Sequence, residues 1–266
     1  MDSARPELEG TANLVEIFSS VQGEGPHVGE TTLFVRFGEC DLRCRWCDSP
    51  HTWRAAQRCR IETLRGSGRS ETIDNPVRLE RALAACDALG AAEHRFASLT
   101  GGEPLLQPEA VRGLASALRE RGPRVLLETH GLHAEALEGV VDAIDVVSMD
   151  WKLASDVRRA GERDRSAPKP FHAEHERFLR VALRAREVAV KVVVTARTLD
   201  EELDEMAAHI ASVDPAIPVI LQPVTPMAPR ESAPSAERLL GLVAHLSRSL
   251  SRVRLIPQTH KLLGAP

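Results

Sequence analysis

The chain contains no tyrosine, and aromatic residues make up only 3% of its 266 residues. Proteins that bind nucleic acid over a large surface usually combine an uncompensated basic stripe with aromatic side chains on which bases stack. Here the net charge is −4, and the many arginines alternate with acidic residues in helix-like segments. This composition argues against nucleic acid as a binding partner.

Long hydrophobic runs are also missing, since no stretch approaches the roughly 18 to 20 apolar residues that a membrane-spanning helix needs. The first ten residues, MDSARPELEG, lack the basic and then apolar pattern of a secretion signal. We therefore expect no membrane association and a location in the cytoplasm. The length suits one α/β domain with a substantial core, so residues 1–266 are predicted to form a single domain.

Short apolar runs alternate with stretches whose apolar residues recur at helical spacing. The predicted strands are 13–20, 31–37, 95–100, 124–129, 143–150, 188–195, 217–223 and 252–257. The predicted helices are 76–91, 108–122, 199–213 and 234–250. This alternation is typical of a parallel sheet covered by helices, either open or curled into a barrel. Two polar segments, 54–75 and 154–175, interrupt the pattern, and we expect them to be insertions or mobile loops.

Polar residues follow five of the predicted strands at the points where those strands end. These exits are Cys40, 101-GGEP, 128-ETHG, 148-SMDWK and 222-QPVT. Because the carboxyl ends of parallel strands meet at one edge of a sheet, ligand sites form there. We therefore expect one functional site built from these exits.

Three of the five cysteines, Cys40, Cys44 and Cys47, lie within eight residues in the spacing C-x3-C-x2-C. Charged residues separate them, so three core cysteines are a poor interpretation. A structural zinc site with His51 as fourth ligand is a second interpretation, although closed zinc sites usually join two separate ligand pairs. The third is a [4Fe–4S] cluster in which three thiolates leave one iron without a protein ligand.

This cysteine loop after an early strand, followed by the Gly-Gly-Glu-Pro exit, resembles the radical S-adenosylmethionine (SAM) superfamily. The resemblance implies that the open iron chelates the methionine moiety of SAM, and that an electron from the cluster releases a 5′-deoxyadenosyl radical. It also implies an α/β fold, an incomplete and modified (β/α) barrel with mostly parallel strands. In that superfamily the aromatic residue before the third cysteine, here Trp46, lies near the adenine.

Residues 16–53 closely resemble the N-terminal part of the 7-carboxy-7-deazaguanine synthase family of the queuosine pathway. The likeness continues at TGGEP, ETHG, SMDWK, LQPVT and the C-terminal PQTHKLLGAP. It implies a lyase that converts 6-carboxy-5,6,7,8-tetrahydropterin to 7-carboxy-7-deazaguanine by hydrogen abstraction at C6, ring contraction and loss of ammonia, with SAM regenerated. It further implies Mg²⁺ as a cofactor, a flavodoxin-like or ferredoxin-like electron donor, and a homodimer.

The same resemblance implies roles for individual residues. It implies that the three cysteines bind the cluster and that the Ser49 hydroxyl binds Mg²⁺. Many relatives have threonine at this position. SAM contacts are implied for Trp46, Cys47, Asp48, Gly101, Gly102, Glu103, Ser148, Asp150, Lys152, Gln222, Pro223, Val224 and Thr225. Substrate contacts are implied for Val21, Gln22, Gly23, Arg36, Thr100, Glu128, His260 and Pro266.

Several of these residues suit their roles chemically. Glu103 is expected to accept a hydrogen bond from the ammonium of SAM, and Gln22 can both donate to and accept from the amide edge of a pterin. Arg36 is either a charge at a sheet edge or a fork for a substrate carboxylate. Glu128 can accept from the exocyclic amine and the ring N–H of an aminopyrimidinone. Magnesium takes few protein ligands, so a single hydroxyl from Ser49 is sufficient.

Two other functions stay open at this point. A glycyl-radical activating enzyme shares the C-x3-C-x2-C spacing but has no need of VQGEG, Arg36 or the PQTHK tail. A non-catalytic zinc or iron–sulfur binding module is the alternative from another class of protein.

Overall fold

A ten-stranded sheet forms the centre of the structure, a computed structural model that describes residues 8–162, 169–226 and 232–265. The strands are β1 (Thr11–Ala12), β2 (Leu14–Val21), β3 (Thr31–Phe37), β4 (Leu42–Cys44), β5 (Arg58–Glu62), β6 (Ser70–Asp74), β7 (Val77–Arg78), β8 (Phe96–Gly101), β9 (Arg124–Thr129), β10 (Val146–Asp150), β11 (Val157–Arg159), β12 (Glu187–Val194), β13 (Val219–Pro223) and β14 (Val253–Leu255). The helices are α1 (Leu79–Ala88), α2 (Pro108–Arg119), α3 (Ala134–Glu138), α4 (His172–Ala182), α5 (Asp200–Val213), α6 (Ala236–Leu246) and α7 (Thr259–Leu263). Short 3₁₀ turns lie at Gly25–His27, Pro50–Trp53, Ala91–Glu93, Pro104–Leu106 and Val141–Ala143.

The strand order in the main sheet is β14-β13-β12-β10-β9-β8-β3-β2-β5-β6. Each neighbouring pair from β3 to β14 is parallel, whereas β2 is antiparallel to β3 and β6 is antiparallel to β5. Within the described residues the edge strands β6 and β14 do not pair with each other, so the sheet is open. This confirms the predicted α/β fold with mostly parallel strands in an incomplete barrel.

The helices cover the sheet through apolar faces. In α2, Val111, Leu114 and Leu118 recur at helical spacing and are each fully buried. The helix begins at Pro108, whose fixed φ suits the first turn and whose missing N–H is no loss there. Of the helices in the described ranges, the longest has 14 residues, and none has the length and apolar composition that crossing a bilayer requires.

Of the two alternatives for segment 54–75, a mobile loop is wrong, and an insertion stays a prediction. Strand β5 pairs in parallel with β2, and β6 completes a hairpin at the edge of the sheet. Cys59 and Ile61 are 0% and 3% exposed, while the alternate residues Arg58 and Arg60 are exposed to solvent. The segment is therefore a half-buried hairpin rather than a loop.

The second polar segment, 154–175, is also partly regular. Its strand β11 pairs antiparallel with β4, which carries Cys44, and its last residues begin α4. Residues 163–168 lie outside the described residues. That the whole chain forms one domain stays a prediction.

Candidate active site

The carboxyl ends of the parallel strands open into a cavity of about 320 Å³. Every site residue predicted from the sequence lines this cavity except Glu103, Pro223 and Pro266. Pro223 is the last residue of β13, and Pro266 lies outside the described residues. The strand exits are brought together because their strands are parallel and share one stretch of the sheet order.

The three clustered cysteines lie on one side of this cavity. Cys40 and Cys44 pack, together with Trp46, against a small buried apolar cluster that includes Leu42. Burial raises the pKa of the Cys40 thiol to about 11 and that of Cys44 to about 12, and it raises the pKa of Cys47 as well. Because metals bind thiolates, a metal group that binds here must displace three protons.

The structure gives no support to a zinc site that uses His51. His51 is exposed on the 3₁₀ turn after the cysteine loop and does not line the cavity. In the part of the chain that the structure describes, one group of three potential metal-ligand atoms lies within 4.8 Å of one another. These atoms belong to Cys40, Asp41 and His130. In that set, His130 Nε2 lies 2.8 Å from Asp41 Oδ1, so these two side chains already satisfy each other.

Lys152 connects the cysteine loop to the β10 exit. Its ammonium lies 4.5 Å from the centroid of the Trp46 ring, a cation–π distance, and donates to Asp150 Oδ2 at 2.6 Å. Lys152 is only 6% exposed, and burial alone would lower its pKa, but the Asp150 carboxylate and Cys44 raise that pKa above its usual value. The lysine therefore stays charged and holds the indole in place.

A second ion pair beyond Asp150 was not predicted from the sequence. Lys191 on β12 donates to Glu24 and lies 3.4 Å from Asp150 Oδ2. The Lys191 and Glu24 side chains are 13% and 16% exposed. Burial alone would raise the pKa of Glu24, but the Lys191 charge and hydrogen bonds from Lys191 and Gln258 hold it below its ordinary value.

The two glycines of the β8 exit are required because the backbone of the cysteine loop passes close to them. A Cβ atom on Gly101 would lie 2.2 Å from the Phe37 carbonyl oxygen, and one on Gly102 would lie 2.1 Å from the Glu39 carbonyl oxygen. Gly101 also has a φ of 133°, which side chains disfavour. Any other residue here would push the exit away from the cysteine loop.

The Glu103 carboxylate makes three hydrogen bonds within the fold. Its side chain is fully buried, and its oxygens accept hydrogen bonds from the Leu105 N–H, the Thr129 hydroxyl and the His130 N–H, at 2.8–2.9 Å. The carboxylate thereby ties the β8 exit to the β9 exit. That it also accepts from the SAM ammonium stays a prediction.

Gln22 and Glu128 form a polar pair elsewhere on the cavity wall. Gln22 Nε2 donates to Glu128 Oε1 at 3.1 Å, and the Ser98 hydroxyl donates to the same oxygen at 2.5 Å. Gln22 is itself fixed by its turn, because its Oε1 accepts from the Glu24 N–H at 3.0 Å. The carboxylate of Glu128 is thereby held at the cavity surface by two donors.

Arg36 lies inside the sheet, since β3 has neighbours on both sides, so the interpretation as a sheet-edge charge is wrong. Its Nε donates to Glu16 Oε1 at 2.8 Å, and its guanidinium lies 5.7 Å from the Phe18 ring centroid. Phe18 stacks on Phe34 at 5.0 Å, and both line the cavity. Glu16 thus fixes one edge of the guanidinium, and a clamp for the substrate carboxylate stays a prediction.

The C-terminal segment closes over the cysteine loop and the VQGEG turn through polar contacts. Gln258 Nε2 donates to Glu24 Oε1 at 2.6 Å and to Asp48 Oδ2 at 3.2 Å, and Lys261 Nζ lies 3.3 Å from that Asp48 oxygen. None of the residues in α7 is buried. A Cβ atom on Gly23 would lie 2.1 Å from His260 Nδ1, so glycine is needed for this closure.

Ser49 donates its hydroxyl to Asp48 Oδ1 at 3.0 Å. The carboxylate of Asp48 is therefore shared between its own loop and the C-terminal segment. Burial alone would raise the pKa of Asp48, but Lys261 and hydrogen bonds from Ser49 and Gln258 hold it below its ordinary value. These oxygens form a small polar cluster at the cavity wall, directly after Cys47.

Four buried polar atoms of cavity-lining residues have no hydrogen-bond partner among the described residues. They include Asp150 Oδ1, Gln222 Oε1 and Trp46 Nε1, and the fourth is His130 Nδ1. Unpaired buried polar atoms are costly, and at a cavity wall they indicate groups that a ligand satisfies. At the same β13 exit, the Val224 N–H donates to the Val194 carbonyl at 2.9 Å, which places Thr225 at the cavity.

His175 on α4 connects the β9 exit to the β10 exit through two hydrogen bonds. Its Nε2 accepts from the Lys152 N–H at 2.9 Å, so Nδ1 carries the proton and donates to the Gly131 carbonyl, also at 2.9 Å. The side chain is fully buried, and burial lowers its pKa to about 3. His175 therefore stays neutral and keeps one tautomer.

We expect this histidine to contribute to acid sensitivity. Below a pKa of about 6.5 the unfolded chain binds a proton at His175 that the folded chain does not, so stability falls as pH drops towards 3. Between pH 7 and pH 5 the parent protein should lose about 2 kcal/mol more unfolding free energy than His175→Gln. Denaturant titrations of both proteins across this range measure the difference. Parallel pH profiles would contradict the assignment.

Some of the residues that shape the site were not predicted as site residues. They are Glu24, Ser98, Lys191, Gln258 and Lys261. A signal existed for two of them, Lys191 and Lys261, because the chain has only four lysines and Lys191 interrupts the apolar run VAVKVVV of β12. Ser98 and Gln258 carry no such signal, since serine and glutamine are common in strands and tails.

Comparison with known proteins gives consistent results. A sequence profile of the radical SAM superfamily matches residues 35–213. The chain is 38% identical over 256 residues to the 7-carboxy-7-deazaguanine synthase of Geobacter sulfurreducens, covering 95% of this chain and 97% of that protein. It is 36% identical over 261 residues to the protein of the same name from Methanopyrus kandleri, covering 94% and 93%. Among solved structures it is similar to QueE from Escherichia coli, with a TM-score of 0.57, 19% identity and 94% of each chain covered, which shows a shared fold.

Proposed function

The chain belongs to the 7-carboxy-7-deazaguanine synthase family of the radical SAM superfamily, and we propose that its cavity converts 6-carboxy-5,6,7,8-tetrahydropterin to 7-carboxy-7-deazaguanine. One observation carries this proposal. The three cysteines, the glycine exit and the Gln22–Glu128 pair all open onto the same cavity. Membership of this family argues against the two functions that the sequence left open, a glycyl-radical activating enzyme and a non-catalytic metal-binding module.

The family uses a [4Fe–4S] cluster, SAM and Mg²⁺, and the donors in the cavity fit the first two. Three thiols without a fourth suit a cluster with one open iron, and the unpaired atoms of Asp150, Gln222 and Trp46 suit a polar ligand beside it. When bound, these two cofactors supply the one-electron cleavage that starts hydrogen removal at C6. Gly101 and Gly102 let the β8 exit lie against the backbone that leads into the cysteine loop.

The remaining predicted cofactor contacts stay in the proposal as residues of the cavity wall. They are Ser148, Lys152, Val224 and Thr225, with Pro223 at the end of β13. Among these, Lys152 has a defined part, because its ammonium holds both the Trp46 ring and the Asp150 carboxylate. It thus positions two groups that face the cofactor.

The substrate is assigned to the part of the wall that holds Gln22, Glu128 and Arg36. Glu128 is a pure acceptor, so it can take both the exocyclic amine and the ring N–H of the pterin. Gln22 orients Glu128, and the Arg36 fork binds the substrate carboxylate while Glu16 fixes its Nε edge. Further substrate contacts are assigned to Val21, Gly23, Thr100 and His260, which line the cavity.

Mg²⁺ is assigned to the Ser49 hydroxyl, beside the Asp48 carboxylate that already bonds it. Magnesium is bound by few protein oxygens and completes its shell with water and substrate oxygens. The Asp48 charge favours a cation here and orients the hydroxyl. Lys261, which is also near Asp48, is the group that a metal would compete with.

The partners and location follow from the chemistry of the cofactors. The cluster needs a one-electron donor of the flavodoxin or ferredoxin type, and thiolate ligands persist in the reducing cytoplasm. We also propose a homodimer, as the family resemblance implies.

The experiment that tests this function is an anaerobic assay of the reconstituted, reduced protein with the carboxytetrahydropterin, SAM and Mg²⁺. We expect the deazaguanine chromophore and ammonia to appear in equal amounts. Less than one SAM should be consumed per product, because the reaction regenerates SAM. SAM cleavage without the chromophore would keep the radical chemistry but reject this substrate. A colourless protein that holds one zinc and cleaves no SAM would reject the enzyme.

A further inference from the structure

Three neighbouring strands of the main sheet, β3, β2 and β5, place three charged residues side by side. Glu16 on β2 lies opposite Arg36 on β3, and it also lies opposite Arg60 on β5. Residues that lie opposite one another on neighbouring strands share one face of the sheet. Arg36 lines the cavity, so these three residues, which we call the Arg36–Glu16–Arg60 row, run from the cavity to the edge hairpin.

The Glu16 carboxylate is paired with both arginines through different oxygens. Its Oε1 accepts from Arg36 Nε at 2.8 Å, and its Oε2 accepts from Arg60 Nη2. The Glu16 side chain is 13% exposed, whereas that of Arg60 is 58% exposed. Burial alone would raise the pKa of Glu16, but the Arg36 charge and hydrogen bonds from both arginines hold it below its ordinary value. Glu16 therefore stays ionised, and two cations and one anion give the row a net positive charge.

Arg36 keeps part of its guanidinium available for a ligand. Its Nε is fixed by Glu16, and its plane lies 5.7 Å from the centroid of the Phe18 ring. Within the described ranges its two terminal nitrogens have no hydrogen-bond partner. These terminal N–H groups have the geometry that binds a carboxylate.

Arg60 influences this site from outside the cavity. It belongs to the hairpin of β5 and β6, and none of the described residues of that hairpin lines the cavity. If Arg60 were uncharged, Arg36 would be the one cation left for Glu16 among the described residues, and the row would be neutral. A carboxylate that approached Arg36 would then meet the uncompensated charge of Glu16.

We propose that Arg60 is a positioning residue that sets specificity for a carboxylated substrate, because by neutralising Glu16 it keeps the charge of Arg36 available to the substrate carboxylate. This inference rests on the proposed function, which assigns that carboxylate to Arg36. Arg60 acts through Glu16 and contacts neither substrate nor cofactor in this assignment. The edge hairpin thereby takes part in substrate recognition although it lies outside the cavity.

The test measures dissociation constants of two pterins for the reconstituted holoenzyme with SAM and Mg²⁺, without reductant so that no turnover occurs. One ligand is the carboxytetrahydropterin, and the other is tetrahydropterin, which lacks the carboxylate. The variants are Arg60→Gln, Arg60→Lys and Glu16→Gln/Arg60→Gln. Arg58→Gln is the matched control, since Arg58 lies on the same strand and face and its side chain is 63% exposed, but it lies 3.6 Å from Asp74 instead.

We expect Arg60→Gln to weaken binding of the carboxytetrahydropterin about three- to fivefold, the upper range for an exposed charge, with a smaller difference at high salt. Its binding of tetrahydropterin should match that of the parent. Arg60→Lys keeps the charge, and Arg58→Gln leaves the row intact, so both should bind each pterin as the parent does. The double variant restores the net positive charge, so it should bind the carboxytetrahydropterin more tightly than Arg60→Gln does.

Three results would overturn the inference while leaving the proposed function in place. They are unchanged binding of the carboxytetrahydropterin by Arg60→Gln, an equal loss for both pterins in that variant, and a double variant that binds as weakly as Arg60→Gln. A parent protein that binds the two pterins equally would instead refute the Arg36 clamp of the proposed function, and this inference with it.

Discussion

Replacing Lys191 by methionine is expected to lower the unfolding free energy by about 3 kcal/mol, the low end of the range for breaking a buried ion pair. Its ammonium contacts Glu24 and Asp150, and its side chain is only 13% exposed. Asp150 keeps Lys152 as a partner, whereas Glu24 keeps the Gln258 amide but no cation among the described residues. The variant therefore leaves one carboxylate largely buried without a positive partner.

The size of this loss should depend on pH. In the parent protein, burial alone would raise the pKa of Glu24, but Lys191 and two hydrogen bonds hold it below its ordinary value of 4.5. Its stabilising contribution is therefore present above the unfolded pKa and lost only as pH falls through the lower folded pKa. Without Lys191 the folded pKa of Glu24 rises, so the deficit of the variant should be largest at pH 7 and shrink towards pH 5. Urea titrations at several pH values measure both effects.

The double variant Glu24→Gln/Lys191→Met is the control. Removing both charges leaves neither of these two buried groups charged without a partner, so we expect it to recover more than half of the stability that Lys191→Met loses. A double variant as unstable as the single one would show that packing of the lysine stem, rather than charge, matters at this position. The double variant should also lack the added pH dependence.

The position of the active site was predictable from the sequence because it depends on a general property of parallel sheets. Short buried strands alternate with helices, so the strand exits had to meet at one edge. Each exit carries a short motif of unusual composition, such as CDLRCRWC or TGGEP. The local sequence therefore determined both the place and most of the cavity lining.

The edge hairpin was not predicted because its signal is weak. Strands β5 and β6 are charged on their exposed face, and only Cys59 and Ile61 show the alternation of a half-buried strand. Edge strands commonly carry such charges, which prevent pairing with other molecules. A polar, arginine-rich segment is therefore easily taken for a loop. The strand is recognised only when the alternation of apolar and polar residues is followed residue by residue.

Long-range polar contacts could not be predicted for a different reason. Gln258 contacts Glu24, which is 234 residues away in the chain, and no local pattern encodes that pairing. Glu103 shows the same limit, because its motif does not indicate that its carboxylate accepts hydrogen bonds from the Thr129 hydroxyl and the His130 N–H of the β9 exit. A motif thus locates a residue more reliably than it assigns the partner of its side chain.

Replacing Glu128 by glutamine is expected to lower kcat/KM for the pterin by at least about 100-fold, equivalent to about 3 kcal/mol of lost transition-state stabilisation. The change keeps the shape of the side chain. However, Gln22 and Ser98 already donate to Oε1, and the substrate is assigned to bring an amine and a ring N–H to the same carboxylate. An amide has one acceptor oxygen and an NH₂ group, so at least one donor would face another donor. Sites built to bind such groups lose much of their affinity when one partner is left unpaired.

Steady-state kinetics with saturating SAM measure this effect, and the control is Ser98→Ala, which removes one donor but keeps the charge. The control should lower kcat/KM for the pterin by less than about tenfold, which is the contribution of one ordinary hydrogen bond. Cluster content and SAM binding should be unchanged in both variants, because neither residue is assigned to the cysteine loop or the cofactor. If Glu128→Gln keeps the parent kcat/KM, the pterin is not held by this carboxylate. If both variants lose SAM binding equally, the wall around Glu128 serves the cofactor instead, since a substrate contact would leave that affinity intact.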